Sequence, residues 1–221
     1  KLSIQTTHPL SSTAASTWSP VESRQSWIER VCALHEQFQG GKLKKVVMAR
    51  SVSSQIKMAD PAVVRALHEL IDNPSKDIVF ALCRPSGLFF GCTPETLADV
   101  QPEWILTHAL AGTQSVDQTE AEFIGDEKIQ REHASVVDDL RGKLRAMSDD
   151  VTTEGSQLRY TKALVHLETQ IRARVTNVHI LDVVDKLHPT PALGGSPTQP
   201  ALRWLRENEP LDRGWFGGPV G

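Results

Sequence analysis

The pattern of apolar and polar positions is clearest in two stretches of opposite period. Over 129–147, Ile129, His133, Val136, Leu140, Leu144 and Met147 fall on one side of a 3.6-residue spiral. This predicts a helix over 126–147 with Glu132 at the edge of its inward face. Over 165–175 the period drops to two: Val165, Leu167, Thr169, Ile171, Ala173 and Val175 alternate with His166, Glu168, Gln170, Arg172 and Arg174. That alternation predicts a half-buried antiparallel strand.

Shorter signals fill in the rest of the chain. Ser26 with Glu29 three places on reads as a capping box. It opens a helix through Trp27, Ile28, Val31, Leu34, His35 and Phe38 that Gly40-Gly41 ends. Residues 46–53 read as a strand. Asp60 caps and Pro61 starts a second helix, with Val64, Leu67 and Ile71 turned inward. The runs 78–84 and 88–92, joined by Pro85-Ser86-Gly87, read as a hairpin. A second hairpin is expected from 100–102 to a return strand at 104–109. Helices over 180–187 and 199–208 and a final strand complete the chain. Residues 1–22, rich in Ser, Thr and Pro, read as a linker. Strands mixed irregularly with helices predict an α+β fold with large antiparallel sheets, not a βαβ repeat. No internal repeat or domain boundary is visible within 23–221.

Composition narrows the partners more than the chemistry. A net charge of −3 with no basic tract or aromatic-plus-basic stripe argues against nucleic acid. No apolar run approaches the length of a membrane span, and the N-terminus lacks the pattern of a secretory signal. Three cysteines, Cys32, Cys83 and Cys92, have no CxxC spacing. Cys83 and Cys92 could face each other across the first hairpin, but reduced thiols in a cytoplasmic chain fit better. Zinc spacings, the P-loop, GxSxG and GxGxxG are all missing, so serine-nucleophile and dinucleotide chemistry have no motif to rest on.

Several residues could carry chemistry. Lys45 stands at the mouth of the Val46-Val47-Met48 run. A strand-edge lysine is ordinarily solvated. Packing there would desolvate it and make the neutral amine a usable base, whereas Lys44 points to the other face. Glu95 follows Pro94, near Phe89, Phe90 and Leu97. It is either a surface acid or a carboxyl in an apolar corner, protonated and able to act as a general acid. Glu132 is a solvated helix acid or one ligand of a metal. Leu110-Ala111-Gly112-Thr113 offers backbone amides and a hydroxyl to a carboxylate. His188 leads a loop of prolines and glycines, and Gly217-Gly218 suggests a second close backbone approach.

The order of these signals is more specific than any one of them. Lys-Val-Val-x-Ala-Arg, Thr-Pro-Glu, Leu-Ala-Gly-Thr, Glu-His-x-x-Val-Val-Asp, His-Pro-Thr-Pro-Ala-x-Gly-Gly and Arg-Gly-Trp-Phe-Gly-Gly-Pro-Val-Gly follow one another along residues 23–221. The series resembles the chorismate-utilising enzymes. The resemblance implies a sandwich of large antiparallel sheets with helices outside, and chorismate as the substrate. It implies Lys45 as the base that activates water for attack at C2, and Glu95 as the acid that protonates the departing C4 hydroxyl. Glu132 would be one of the carboxylates holding Mg²⁺. Gly112, Thr113 and Ala192 would contact substrate, with His188 and Gly218 as further substrate-binding candidates.

Residue identity implies the subtype. Ammonia-using relatives typically lack a lysine at position 45, and aminodeoxychorismate synthases often carry one at position 111. Lysine at 45 and alanine at 111 therefore imply water as the nucleophile, which leaves the isochorismate and salicylate synthases. The Pro-Thr-Pro-Ala-Leu loop and the Gly-Trp-Phe-Gly-Gly-Pro-Val-Gly end look more like the former, which make isochorismate for menaquinone or catechol siderophore synthesis. A salicylate synthase or a non-catalytic chorismate-binding fragment is the alternative. The family pattern continues beyond Gly221 with further metal-binding glutamates and a carboxylate-binding arginine. The stretch between Thr113 and Lys128 is also shorter than usual. The chain as it stands is therefore expected to be a truncated catalytic domain, 23–221, inactive without that remainder. It is expected to be a cytoplasmic monomer.

Overall fold

The computed structural model describes residues 19–53, 61–72, 77–117, 119–161 and 163–221. In chain order the elements are β1 (Ser19–Pro20), α1 (Arg24–Gln39), β2 (Lys45–Val46), β3 (Val52–Ser53), α2 (Pro61–Ile71), β4 (Ile78–Arg84), β5 (Gly87–Thr93), β6 (Asp99–Gln101), β7 (Trp104–Ser115), α3 (Glu120–Gly125), α4 (Glu127–Arg145), β8 (Val151–Thr153), β9 (Gln157–Tyr160), β10 (Leu164–Arg174), α5 (Ile180–Leu187), β11 (Gly195–Ser196) and α6 (Thr198–Asn208). The fold is mixed helix and sheet with antiparallel pairing, as the pattern predicted.

The long alternating strand becomes β10, the centre of a five-stranded sheet. It pairs with β7 along its whole length and with β8 and β9 on its other edge, while β6 extends the far side of β7. Val165, Leu167, Thr169, Ile171, Ala173 and Val175 are all buried, as a period of two requires of a face covered by a helix. The covering helix is α4, capped by the Asp126 carboxylate, which accepts from Lys128 N and Ile129 N. Its stripe of Ile129, His133, Val136, Leu140 and Leu144 is buried. Val136, Leu140 and Leu144 meet Ile105, Ala109, Ile171 and Ala173 of the sheet and Val183 and Leu187 of α5. A second cluster, Leu34, Leu43, Ala201, Trp204 and Leu205, packs α1 against α6 beside β2.

Some expectations are corrected. Helix α1 is capped by Ser23, whose hydroxyl accepts from Ser26 N, and Ser26 lies inside the helix. The buried ion pair of Arg30 with Glu22 anchors this earlier start. Within the expected linker, β1 pairs with β3; residues 1–18 lie outside the described residues, as does the Asp60 cap. The expected strand over 46–53 is reduced to β2 and β3, because the intervening backbone finds side-chain partners described below. In α2, Leu67 is half-buried, but Val64 and Ile71 are exposed. The return strand of the second hairpin runs to Ser115, well past 109. The tail 209–221 forms turns rather than a strand. In the β4–β5 hairpin Cys92 pairs with Val79 and Cys83 with Leu88, so the two thiols are not opposed; Cys32, Cys83 and Cys92 are all free. No helix among the described residues is long and apolar enough to cross a membrane.

The placement of Lys45 depends on a close backbone approach. Strand β2 pairs antiparallel with β11, Gly195 opposite Val46 and Ser196 opposite Lys45. The pairing is extended by Lys44 N–H to Ser196 O at 2.8 Å and Val47 N–H to Gly194 O at 3.0 Å. At Gly195, φ is +139°, and a Cβ there would lie 2.2 Å from Lys45 O and 2.9 Å from Val46 Cα. Gly195→Ala is therefore expected to destabilise the fold by roughly 2–3 kcal/mol, through backbone strain and overpacking. Urea unfolding of the variant measures this.

Candidate active site

A cavity of about 450 Å³ opens between β2, the end of β5, the end of β7 and the start of α4. Its lining gathers Lys45, Glu95, Gly112, Thr113, Glu132 and Ala192, residues up to 147 positions apart in sequence. His188 and Gly218 are not among its lining residues. His188 instead ends α5, its backbone N–H donating to Val184 O. Its ring is held below the ordinary histidine range by burial and by nearby Lys143. Gly218 lies in the terminal turn, its N–H donating to Trp215 O.

Burial acts on both principal groups in the same sense, against charge. It lowers the pKa of the Lys45 amine, although Glu132 and Glu95 pull the other way; Lys128 adds to the lowering. It raises the pKa of Glu95 to about 7, with Lys45 opposing. Near neutral pH the Glu95 carboxyl is therefore protonated in a large fraction of molecules. Its backbone is fixed at the strand end by Glu95 N–H to Thr93 Oγ1 at 3.2 Å. The following segment is tied to β7 by Thr107 Oγ1–H to Leu97 O at 2.6 Å and His108 N–H to Thr96 O at 3.3 Å.

The Ala111–Thr113 edge of the cavity is shaped by a bulge. His166 pairs with Thr113 and Leu167 with Ala111, which leaves Gly112 without an opposite residue. Its φ is +76°, and a Cβ there would meet Ile129 Cγ2 at 2.6 Å, so only glycine lets α4 approach this closely. His133 braces the bulge from within. Its Nδ1 lies 3.2 Å from Ala111 O and its Nε2 2.8 Å from Thr169 Oγ1, which in turn lies 2.9 Å from Ser156 Oγ. With Nδ1–H donated to the carbonyl, Nε2 accepts from the Thr169 hydroxyl. Burial lowers the pKa of this ring, which favours that neutral form.

His166 also lines the cavity, with Nδ1 2.9 Å from Thr113 Oγ1. Burial lowers its pKa; Asp77 and a bond to the Gly112 backbone oppose this, and Arg159 assists. The alternating pattern placed His166 on the polar face of β10, which gave it no distinction from Glu168 or Arg172. Only its cross-strand pairing with Thr113 marks it.

The fit of the site to Mg²⁺ is poor on the described residues alone. They contain no group of three or more His, Cys, Asp or Glu side chains able to hold a metal. Glu132 offers one carboxylate, ion-paired to Lys128 at 3.5 Å, and the Lys45 ammonium also feels its charge. One carboxylate between two lysines does not by itself compose a Mg²⁺ site, which takes six oxygens in near-octahedral order.

Comparison with known proteins places this geometry in context. A family model described as "Chorismate binding enzyme" matches residues 2–221. The salicylate biosynthesis isochorismate synthase of Pseudomonas aeruginosa is 32% identical over 209 residues, covering 90% of this chain and 44% of that protein. The isochorismate synthase MenF of Bacillus subtilis is 31% identical over 208 residues, again covering 90% of this chain and 44% of the relative. Among solved structures, a putative 2,3-dihydroxybenzoate-specific isochorismate synthase, DhbC, from Bacillus anthracis superposes with a TM-score of 0.77 at 26% identity, covering 90% of this chain and 57% of that one. The chain spans about half the length of the curated relatives it matches.

Proposed function

The chain belongs to the chorismate binding enzyme family, and from that premise we propose that it serves as an isochorismate synthase. The observation that carries this reading is that Lys45 and Glu95 line one cavity, each pushed by burial toward its neutral form. A neutral amine and an un-ionised carboxyl are what the exchange of one hydroxyl for another requires.

In the proposed reaction the Lys45 amine takes a proton from water as the water oxygen bonds to C2 of chorismate. The ring double bonds shift, the C4–O bond breaks, and the Glu95 carboxyl gives its proton to the departing hydroxyl. One water enters and one leaves, so substrate and product are isomers. The resulting ammonium and carboxylate return to their starting forms by proton exchange with solvent. The Gly112 backbone and the Thr113 hydroxyl would receive a substrate carboxylate, with Ala192 as a further contact; all three line the cavity. Isochorismate made this way would feed menaquinone or catechol siderophore synthesis.

The test is product identification after the complete protein is incubated with chorismate and Mg²⁺. Isochorismate as the product is the expected result. Salicylate with pyruvate would replace the reading by a salicylate synthase, and chorismate bound but unchanged would replace it by a non-catalytic binding domain.

A further inference from the structure

Beyond its short pairing with β11, the segment that carries Lys45 is held by an ion pair rather than by a strand. Glu209, the residue that ends α6, has its side chain 3% exposed. Its Oε2 accepts from Ala49 N–H at 2.9 Å and from Arg213 Nη2 at 2.9 Å, while Oε1 accepts from Arg213 Nε at 2.5 Å. Arg213 then donates from Nη2 to Val47 O at 2.7 Å and from Nη1 to Leu193 O at 3.1 Å. The C=O of Val47 and the N–H of Ala49 are the groups a neighbouring strand would have satisfied. Here the guanidinium–carboxylate fork satisfies them, and the same fork holds the carbonyl next to Ala192. Burial alone would raise the pKa of Glu209, but its bonds to Arg213 and Ala49, with the charges of Arg213 and Arg30, bring it below the ordinary carboxylate range.

We propose that Arg213 and Glu209 are positioning residues that hold the Lys45 amine in the cavity, away from bulk solvent. Strand β2 is two residues long, and its pairing with β11 ends at the Val47–Gly194 bond. The fork continues the hold from Val47 O to Ala49 N–H, and through Leu193 O it ties this segment to the chain next to Ala192. Bidentate charge-assisted bonds of this kind combine strength with a fixed direction, and lysine cannot reproduce them. The proposal rests on the reading of Lys45 as the base, so its main readout is independent of turnover.

The experiment compares Arg213→Lys and Glu209→Gln with the unaltered complete protein, each checked for native circular dichroism. Amine acetylation at Lys45 is followed by mass spectrometry across pH, with exposed Lys44 as the internal reference. When the segment loosens and bulk water reaches the amine, the midpoint of the Lys45 labelling–pH curve is expected to shift upward, toward that of Lys44. Labelling of Lys44 should not change. With chorismate, kcat should fall roughly 10²-fold while KM stays within about threefold, the split expected when a group is displaced rather than lost from binding. Labelling of Lys45 that does not move in the folded variants would overturn the proposal, even if kcat fell. Labelling that moves as expected in a protein that makes no isochorismate would reject the synthase reading and leave the positioning role standing.

Discussion

Lys45→Ala is expected to lower isochorismate formation by roughly 10²–10⁴-fold or more, the range contributed by a positioned general base. The other titratable groups of the cavity are engaged otherwise: Glu132 is ion-paired to Lys128, His166 Nδ1 lies 2.9 Å from Thr113 Oγ1, and burial holds Glu95 protonated in a large fraction of molecules near neutral pH. The fold should tolerate the change, because β2 is held through its backbone to Gly194 and Ser196 and through the Arg213–Glu209 fork, none of which uses the Lys45 side chain. Steady-state rates with chorismate, alongside a thermal melt, check both parts. Activity retained within tenfold would remove Lys45 as the base.

Glu95→Gln is expected to act in opposite directions on rate and on stability. The amide cannot donate a proton to the leaving hydroxyl, so the rate should fall by roughly 10²–10⁴-fold. Stability should rise at alkaline pH. The folded protein raises the Glu95 pKa from the usual 4.5 to about 7, so the folded state binds this proton more tightly than the unfolded state. The stabilisation from the protonated carboxyl is complete below about pH 4.5 and is lost as pH climbs through about 7. Above that pH the buried carboxylate costs up to about 3 kcal/mol. Glutamine mimics the protonated form at every pH and escapes this cost. The variant should therefore melt higher than the natural chain at pH 8 and nearly equal to it at pH 5. On the proposed reaction, the activity of the complete protein is expected to follow the fraction of molecules with Lys45 neutral and Glu95 protonated. The expected pH profile is a bell with one limb near pH 7 from Glu95 and the other, from Lys45, below the ordinary lysine range. A melting curve for Glu95→Gln that tracks the natural chain at both pH values would show that the carboxyl is not held protonated.

Elements with long, unbroken periodicity were legible from sequence. The stripe of α4 and the alternation of β10 each had enough positions to define a face, and burial follows both. The failures share a cause, which is that the deciding partner lies far away in the chain. The run after Lys45 reads as a strand on propensity, yet Val47 and Ala49 are satisfied by Arg213 and Glu209, more than 150 residues on. Val64 and Ile71 follow helical spacing but have no described surface to cover them. Ser26 has the capping-box spacing, but the bonds of Ser23 to Ser26 and of Arg30 to Glu22 start the helix earlier.

The candidate site was legible in the same uneven way. Lys45, Glu95, Gly112, Thr113, Glu132 and Ala192 were each singled out from short motifs, and the fold brings all six to one cavity. Their roles rest on the family resemblance and on the burial of the two principal groups. His188 and Gly218 had motif context alone and are not among the residues that line the cavity. His166 had no motif. It reaches the cavity because the bulge at Gly112 resets the register between β7 and β10, a shift that strand periodicity cannot reveal.

The central claim is that solvent water, not the substrate's own hydroxyl, supplies the new oxygen in a cavity where Lys45 and Glu95 stand uncharged. The most direct measurement is to run the complete protein on chorismate in ¹⁸O-labelled water and to locate the label in the product. The account predicts isochorismate carrying ¹⁸O in its C2 hydroxyl. Unlabelled isochorismate, or chorismate recovered without any product, would contradict it.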